Sequence, residues 1–152
     1  MNALFGRFKK FKADYSLIPR CTYTDPEIAA VGLNEQTAKE QGVDFDLTVY
    51  HLDDLDRAIT EDETAGYVKV LTKPKKDKIL GVTIVGHGAG DLLPEFVTAM
   101  KYNLGLNKIL ATIHAYPTFA EANKYAAGEW KRANKPEFIL KMLKKYHSWV
   151  RG

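Results

Sequence analysis

The segment "YVKVLTKPKKDKILGVTIVG", residues 67–86, constrains the fold more than any other stretch of the chain. Two runs rich in valine and isoleucine flank the polar turn "PKKD", and β-branched residues arranged this way predict an antiparallel hairpin. Any fold for this chain has to place that hairpin.

Upstream, "IPRCTYTDPEIAAVGL" carries β-branched and aromatic residues on either side of a Thr24-Asp25-Pro26 turn, which predicts two short strand segments. "NEQTAKEQG" opens on an Asn34 cap and ends at Gly42, as a short helix would. "FDLTVYHL" alternates Phe45, Leu47 and Val49, then breaks the period with Leu52 after His51, and reads as a half-buried strand. The acidic stretch "DDLDRAITEDETAG" reads as a long loop.

The second half of the chain reads as helices. "DLLPEFVTAMKYNLGL" spaces Leu93, Phe96, Val97 and Met100 along one helical face, with Asp91 at the positive N-terminal end. A short helical turn is expected in "NKILATI". In "IHAYPTFAEANKYA", Pro117 at a first helical position and Glu121 in the first turn predict a helix reaching about Arg132. "KPEFILKMLKKYHSWV" sets an apolar stripe of Phe138, Ile139, Met142, Leu143, Tyr146, Trp149 and Val150 against Lys141, Lys144 and Lys145. Strands followed by helices imply an α+β fold, a mainly antiparallel sheet with helices packed on one side. The expected organisation is a linker over 1–16, a domain over 17–133 and a C-terminal amphipathic helix over 134–152.

A chain of 152 residues makes one domain, large enough for a core but short for a complete nucleotide-dependent redox enzyme. Its net charge of +3 is modest and its lysines are spread out except at the C-terminus, so nucleic acid is not an expected partner. Cys21 is the sole cysteine, and "MNALFGRFKKFK" lacks the apolar core of a signal peptide, which favours a cytoplasmic setting. No apolar run approaches the roughly 20 residues of a membrane-spanning helix. For the last helix two readings stay open: packing on this domain, or peripheral membrane contact through Tyr146, Trp149 and the lysines.

Motifs for other chemistry are weak. "GHGAGDLL" follows a strand and opens a helix, but Asp91 falls where a third glycine would stand, and its carboxylate would repel a pyrophosphate; a structural turn is expected. Asp53, Asp54, Asp56, Glu61, Asp62 and Glu63 lack the spacing of a calcium loop, and His51, His87, His114 and His147 lack the spacing of a helical zinc site. No metal site is expected. Tyr116 and Glu121 leave two readings open: a well-capped helix start, or a titratable pair at the mouth of a helix that faces a cofactor.

Four stretches in order, "IPRCTYTDPEIAAVGLNEQTAKEQG", "RAITEDETAGYVKVLTK", "KILGVTIVGHGAGDLL" and "HAYPTFAE", resemble the C-terminal dimerisation domain of pyridine nucleotide-disulfide oxidoreductases, over about residues 17–127. Dihydrolipoamide dehydrogenase, glutathione reductase and mercuric reductase belong to that family. The resemblance implies a homodimer in which N-terminal domains bind FAD and NAD(P)H and this domain closes the partner subunit's active site. Those domains are not in this sequence, so the chain looks like a fragment of a longer flavoprotein, expected to bind no cofactor and to be inactive alone. Thiol-using members carry a histidine before the Pro-Thr step, paired with a glutamate five residues on. Glu121 matches the glutamate, whereas Tyr116 stands at the histidine position. Tyr116 and Pro117 are thereby expected at the flavin, with Tyr116, Glu121 and His114 as candidate catalytic residues. His114 is read either as pointing the same way as Tyr116 or as a packing histidine. A tyrosine here resembles the mercuric reductase branch, yet the ending "KKYHSWVRG" has no cysteine pair, so mercury reduction is not implied. The alternative is a stand-alone interaction or scaffold domain that has lost redox chemistry.

Overall fold

A computed structural model of the protein describes Tyr15, residues 17–135, Met142 and residues 146–151. The hairpin at residues 67–86 lies inside a five-stranded sheet whose spatial order is β1-β2-β5-β4-β3, antiparallel throughout. The strands are β1 (Arg20–Thr22), β2 (Glu27–Gly32), β3 (Asp46–His51), β4 (Tyr67–Thr72) and β5 (Ile79–Gly86). The helices are α1 (Glu35–Glu40), α2 (Asp56–Thr60), α3 (Ala89–Lys101), α4 (Leu106–Ala111) and α5 (Glu121–Ala133), with a 3-10 turn at Leu52–Asp54.

Register explains why one face of the sheet is the core. Ala29 pairs with Ile84, Ile84 with Val68 and Val68 with Tyr50, forming a row across four strands. Val31, Val82, Val70 and Thr48 make the next row. All eight are buried, because alternate residues of a strand share a face and α3 and α5 cover this one. From α3 come Leu92, Leu93 and Phe96; from α5 come Ala122, Ala126, Ala127 and Trp130. The small residues of α5 let its backbone lie close to the sheet. Burying side chains of the Leu, Val or Phe class contributes about 1.5–3 kcal/mol each.

Two local devices fix the connections. Asn34 caps α1: its Oδ1 accepts from Thr37 N at 2.8 Å, while Thr37 Oγ1 accepts from Asn34 N at 2.9 Å. At Gly81 a Cβ would overlap the Leu33 backbone, which passes over β5 with Leu33 N donating to Leu80 O at 3.0 Å.

The α+β layer pair and the two strand segments around Pro26 agree with the sequence reading. Three details differ. The acidic stretch is not a long loop: it holds the 3-10 turn and α2, which bury Leu52, Leu55 and Ala58. In β3 the buried side chains are Thr48 and Tyr50, while Leu47 lies exposed, because α5 packs on the face that carries the tyrosine. Pro117 is not the first residue of a helix; α5 begins at Glu121, and residues 116–120 form bends and turns. The 1–16 linker, and most of the helix placed at 134–152, fall outside the described residues. Within that helix Met142, Tyr146, Trp149 and Val150 are exposed. No helix among the described residues is long and apolar enough to cross a membrane.

Candidate functional site

The sequence-predicted residues sit on the connection between α4 and α5 and at the first residue of α5. That segment is shaped by side chain to backbone hydrogen bonds in place of a regular ladder. Thr118 Oγ1 donates to Ala115 O at 2.8 Å, and Thr118 N donates to Glu121 Oε2 at 3.1 Å. Glu121 is only 5% exposed and opens α5, where the unpaired N–H groups of a helix start favour a buried negative charge. Its other oxygen, Oε1, accepts from Tyr125 one turn along, at 3.4 Å. Glu121 thus fastens the loop to the helix. The Tyr116–Pro117 peptide within this loop is cis.

Tyr116 projects outward, 68% exposed, and its hydroxyl donates to Asp56 Oδ2 at 2.7 Å, from the first turn of α2. Its partner is Asp56 and not Glu121, since Glu121 is buried against Thr118 and Tyr125. The hydrogen bond to Asp56, followed by the Asp56 charge, raises the Tyr116 phenol above its ordinary range. Burial, followed by the charge of Glu121, does the same to Tyr125. Both phenols are therefore neutral donors at neutral pH.

His114 turns the other way. Its side chain is 7% exposed, with Nε2 donating to Glu95 Oε1 at 3.0 Å and Nδ1 lying 3.1 Å from the Thr112 carbonyl. Asn123 Nδ2 donates to the other Glu95 oxygen at 2.9 Å and to Leu92 O at 3.0 Å. Glu95 therefore ties α3 to both ends of the loop. It supplies the charged partner that His114 lacks in its own stretch of sequence.

The glycine turn at the start of α3 is occupied by the protein's own carboxylates. Gly90 N donates to Glu27 Oε2 at 3.0 Å, and Asp91 lies in the same first turn. With one N–H taken and two carboxylates at the helix start, the turn does not fit a pyrophosphate. A Cβ on Gly90 would sit 3.1 Å from Cys21 Sγ, so the glycine serves close packing of α3 on β1. Among the described residues no group of three His, Cys, Asp or Glu side chains is placed to hold a metal ion.

A buried glutamate opening a helix, an exposed tyrosine on the loop before it and a five-stranded antiparallel sheet behind them set the frame for comparison with known proteins. The family model described as pyridine nucleotide-disulphide oxidoreductase, dimerisation domain, matches residues 18–127. The chain belongs to this family. Dihydrolipoamide dehydrogenase of Chaetomium thermophilum is 40% identical over 114 residues, which are 75% of this chain and 23% of the relative. Mercuric reductase of Lysinibacillus sphaericus is 40% identical over 126 residues, 83% of this chain and 23% of the relative. The chain spans under a quarter of the length of these curated relatives. LpdA from Mycobacterium tuberculosis superposes with a TM-score of 0.73 at 22% identity, covering 82% of this chain and 28% of that one. The HOCl-induced flavoprotein disulfide reductase RclA from Escherichia coli gives 0.76 at 20% identity, covering 84% and 29%. Both share the fold of this pyridine nucleotide-disulphide oxidoreductase dimerisation domain.

Within the domain, Tyr116 and Pro117 lie on the loop, Glu121 opens the helix that follows and holds the loop through Thr118, and His114 packs against Glu95. Sequence reasoning missed Asp56, Glu95, Asn123 and Tyr125. Tyr125 was legible, four residues after Glu121 and hence on the same helical face. Asp56 and Glu95 reach the loop only through tertiary packing.

Proposed function

We propose that this chain is the dimerising, active-site-completing domain of a flavin- and nicotinamide-dependent oxidoreductase, and that its loop at 114–118 meets the partner subunit's flavin. The observation that carries this reading is the exposed Tyr116, held on a loop that buried Glu121 fastens, in a domain of this family. FAD and NAD(P)H are assigned to other domains of the parent protein, because the glycine turn in this one does not fit a dinucleotide. A flavin supplies hydride and electron transfer when bound. This chain's part is to orient the substrate through the Tyr116 hydroxyl, to shield the flavin from water and to donate a hydrogen bond to developing negative charge. Without its partner domains the chain has no redox turnover.

Dimerisation is assigned to the α3 side. A groove of about 340 Å³ runs between α3 and α4, lined mainly by Pro94, Ala99, Leu104 and Ile109 with Glu95 and Lys108 among them. Tyr102, Leu104 and Ile113 are exposed large apolar residues of the same segment, and a second copy would cover them.

The test uses a full-length protein carrying this domain, purified with its flavin. Tyr116→Ala is expected to change flavin fluorescence and lower turnover while flavin content stays the same. An unchanged flavin spectrum together with unchanged turnover would place Tyr116 away from the flavin and refute the reading.

A further inference from the structure

A second polar cavity lies beside the candidate site, between β3, the 3-10 turn and α5. It has a volume of about 290 Å³ and is lined by Tyr50, Asp54, Tyr125, Gly128, Glu129 and Arg132. Tyr50 is 7% exposed, lines the cavity, and its hydroxyl has no hydrogen-bond partner among the described residues. The hydroxyl is not sealed from solvent: it opens on the cavity, where a ligand or water can supply the partner. Burial and then the charge of Asp54, with Tyr125, Asp53 and Asp56 adding to it, push the Tyr50 phenol far above its ordinary range, so it stays neutral.

The charges around the cavity select the sign of a ligand. Glu129 Oε1 accepts from Arg132 Nη1 at 2.6 Å, which leaves that pair neutral. Asp54 has no cationic partner among the described residues, and Asp53 and Asp56 lie close enough to act on the same phenol. Tyr50 and Tyr125 form an aromatic wall, their ring centroids 5.5 Å apart and tilted by 42°. A carboxylate without a counter-ion beside tyrosine rings and an unused phenol oxygen suits an organic cation that can both stack and donate. The volume is at the small end for ligand sites, room for a headgroup and too little for a nucleotide.

We propose that this cavity binds a guanidinium headgroup, which packs against the Tyr50 and Tyr125 rings and donates N–H groups to the Asp54 carboxylate and the Tyr50 oxygen. Guanidinium is favoured over ammonium because it is planar, weakly hydrated and carries its donors in a fork that engages a carboxylate and a second oxygen together. Its source is either an arginine side chain of a polypeptide or a free guanidino compound. Arg132, which also lines the cavity, is a rival cation already paired with Glu129.

Titration of the 15N-labelled 152-residue chain with ethylguanidinium, followed by amide chemical shifts, tests this. Saturable shifts centred on residues 50, 54 and 125 are expected, with a dissociation constant on the order of millimolar for so small a probe. The neutral analogue ethylurea should produce none over the same range. Asp54→Asn changes an exposed residue and should weaken binding about tenfold, the loss expected for a charge-assisted hydrogen bond. Tyr50→Phe should weaken it less, and Arg132→Gln should tighten it. Tighter binding of N-acetyl-L-argininamide than of ethylguanidinium would assign the site to a polypeptide arginine; equal binding would assign it to a free guanidino compound. Absence of saturable shifts, equal binding of ethylurea, or full affinity in Asp54→Asn would overturn the proposal.

Discussion

Tyr116, a phenol already neutral at pH 7, is held further toward its protonated form by Asp56, which accepts its hydrogen bond and adds a negative charge beside it. Under the proposed function such a phenol orients and stabilises but does not remove a thiol proton as an imidazole of pKa about 6.5 would. Tyr116→His in the full-length parent is therefore expected to raise turnover with a dithiol substrate by tenfold or more, on the order expected of a general base, and to add a group titrating near neutrality to the pH profile. Strong wild-type activity through a base near neutrality, unchanged in Tyr116→Phe, would transfer that role to another group such as His114. Tyr50 makes a prediction about stability. Its folded phenol is raised above the ordinary value near 10, so its contribution is complete below pH 10 and is lost as the pH climbs beyond it. Chemical denaturation between pH 9 and 11 should show a fall of up to about 1.4 kcal/mol per pH unit from this group, absent in Tyr50→Phe. Thr72 is fully buried with its hydroxyl unpartnered, so Thr72→Val, nearly the same shape, should stabilise by about 1 kcal/mol in the same assay.

Among the elements, those with strong local signals were legible: the β4-β5 hairpin from its valines and isoleucines, α1 from Asn34, α3 from the spacing of Leu93 and Phe96. What failed did so where tertiary packing chose between local options. The carboxylates around Leu52, Leu55 and Ala58 hid a three-residue spacing that the core uses. In β3 the alternation of Leu47 and Val49 pointed to one face, yet Tyr50 and Thr48 fill the row opposite Val68 and Val70. Pro117 resembles a helix start, but Thr118 and Glu121 spend their hydrogen bonds on each other, and the helix waits for Glu121. In the candidate site, Tyr116 and Glu121 were readable from their place beside Pro117, whereas Glu95 and Asp56 come from α3 and α2 and carry no sequence spacing to the loop. One element contact can be tested directly: Gly81 lets the Leu33 backbone cross β5, so Gly81→Ala should lower stability by about 2–3 kcal/mol by steric overlap, seen as a lower midpoint with an unchanged denaturant slope.

On the scale of the whole molecule, a sheet covered on one face by α3 and α5 leaves the groove between α3 and α4, with Leu104 and Ile113, turned outward. The family match over residues 18–127 is to a dimerisation domain, and under the proposed function that outward face is where the second copy docks. Association buries apolar side chains there, and a charge at its centre removes the driving force while leaving the fold intact, because Leu104 is 41% exposed. Sedimentation equilibrium of the 152-residue chain across a hundredfold range of concentration, beside its Leu104→Glu variant, measures this. The account predicts a reversible dimer whose dissociation constant rises at least about tenfold in the variant, with circular dichroism unchanged. A folded chain that stays monomeric at the highest concentration, or a dimer indifferent to Leu104→Glu, would contradict it.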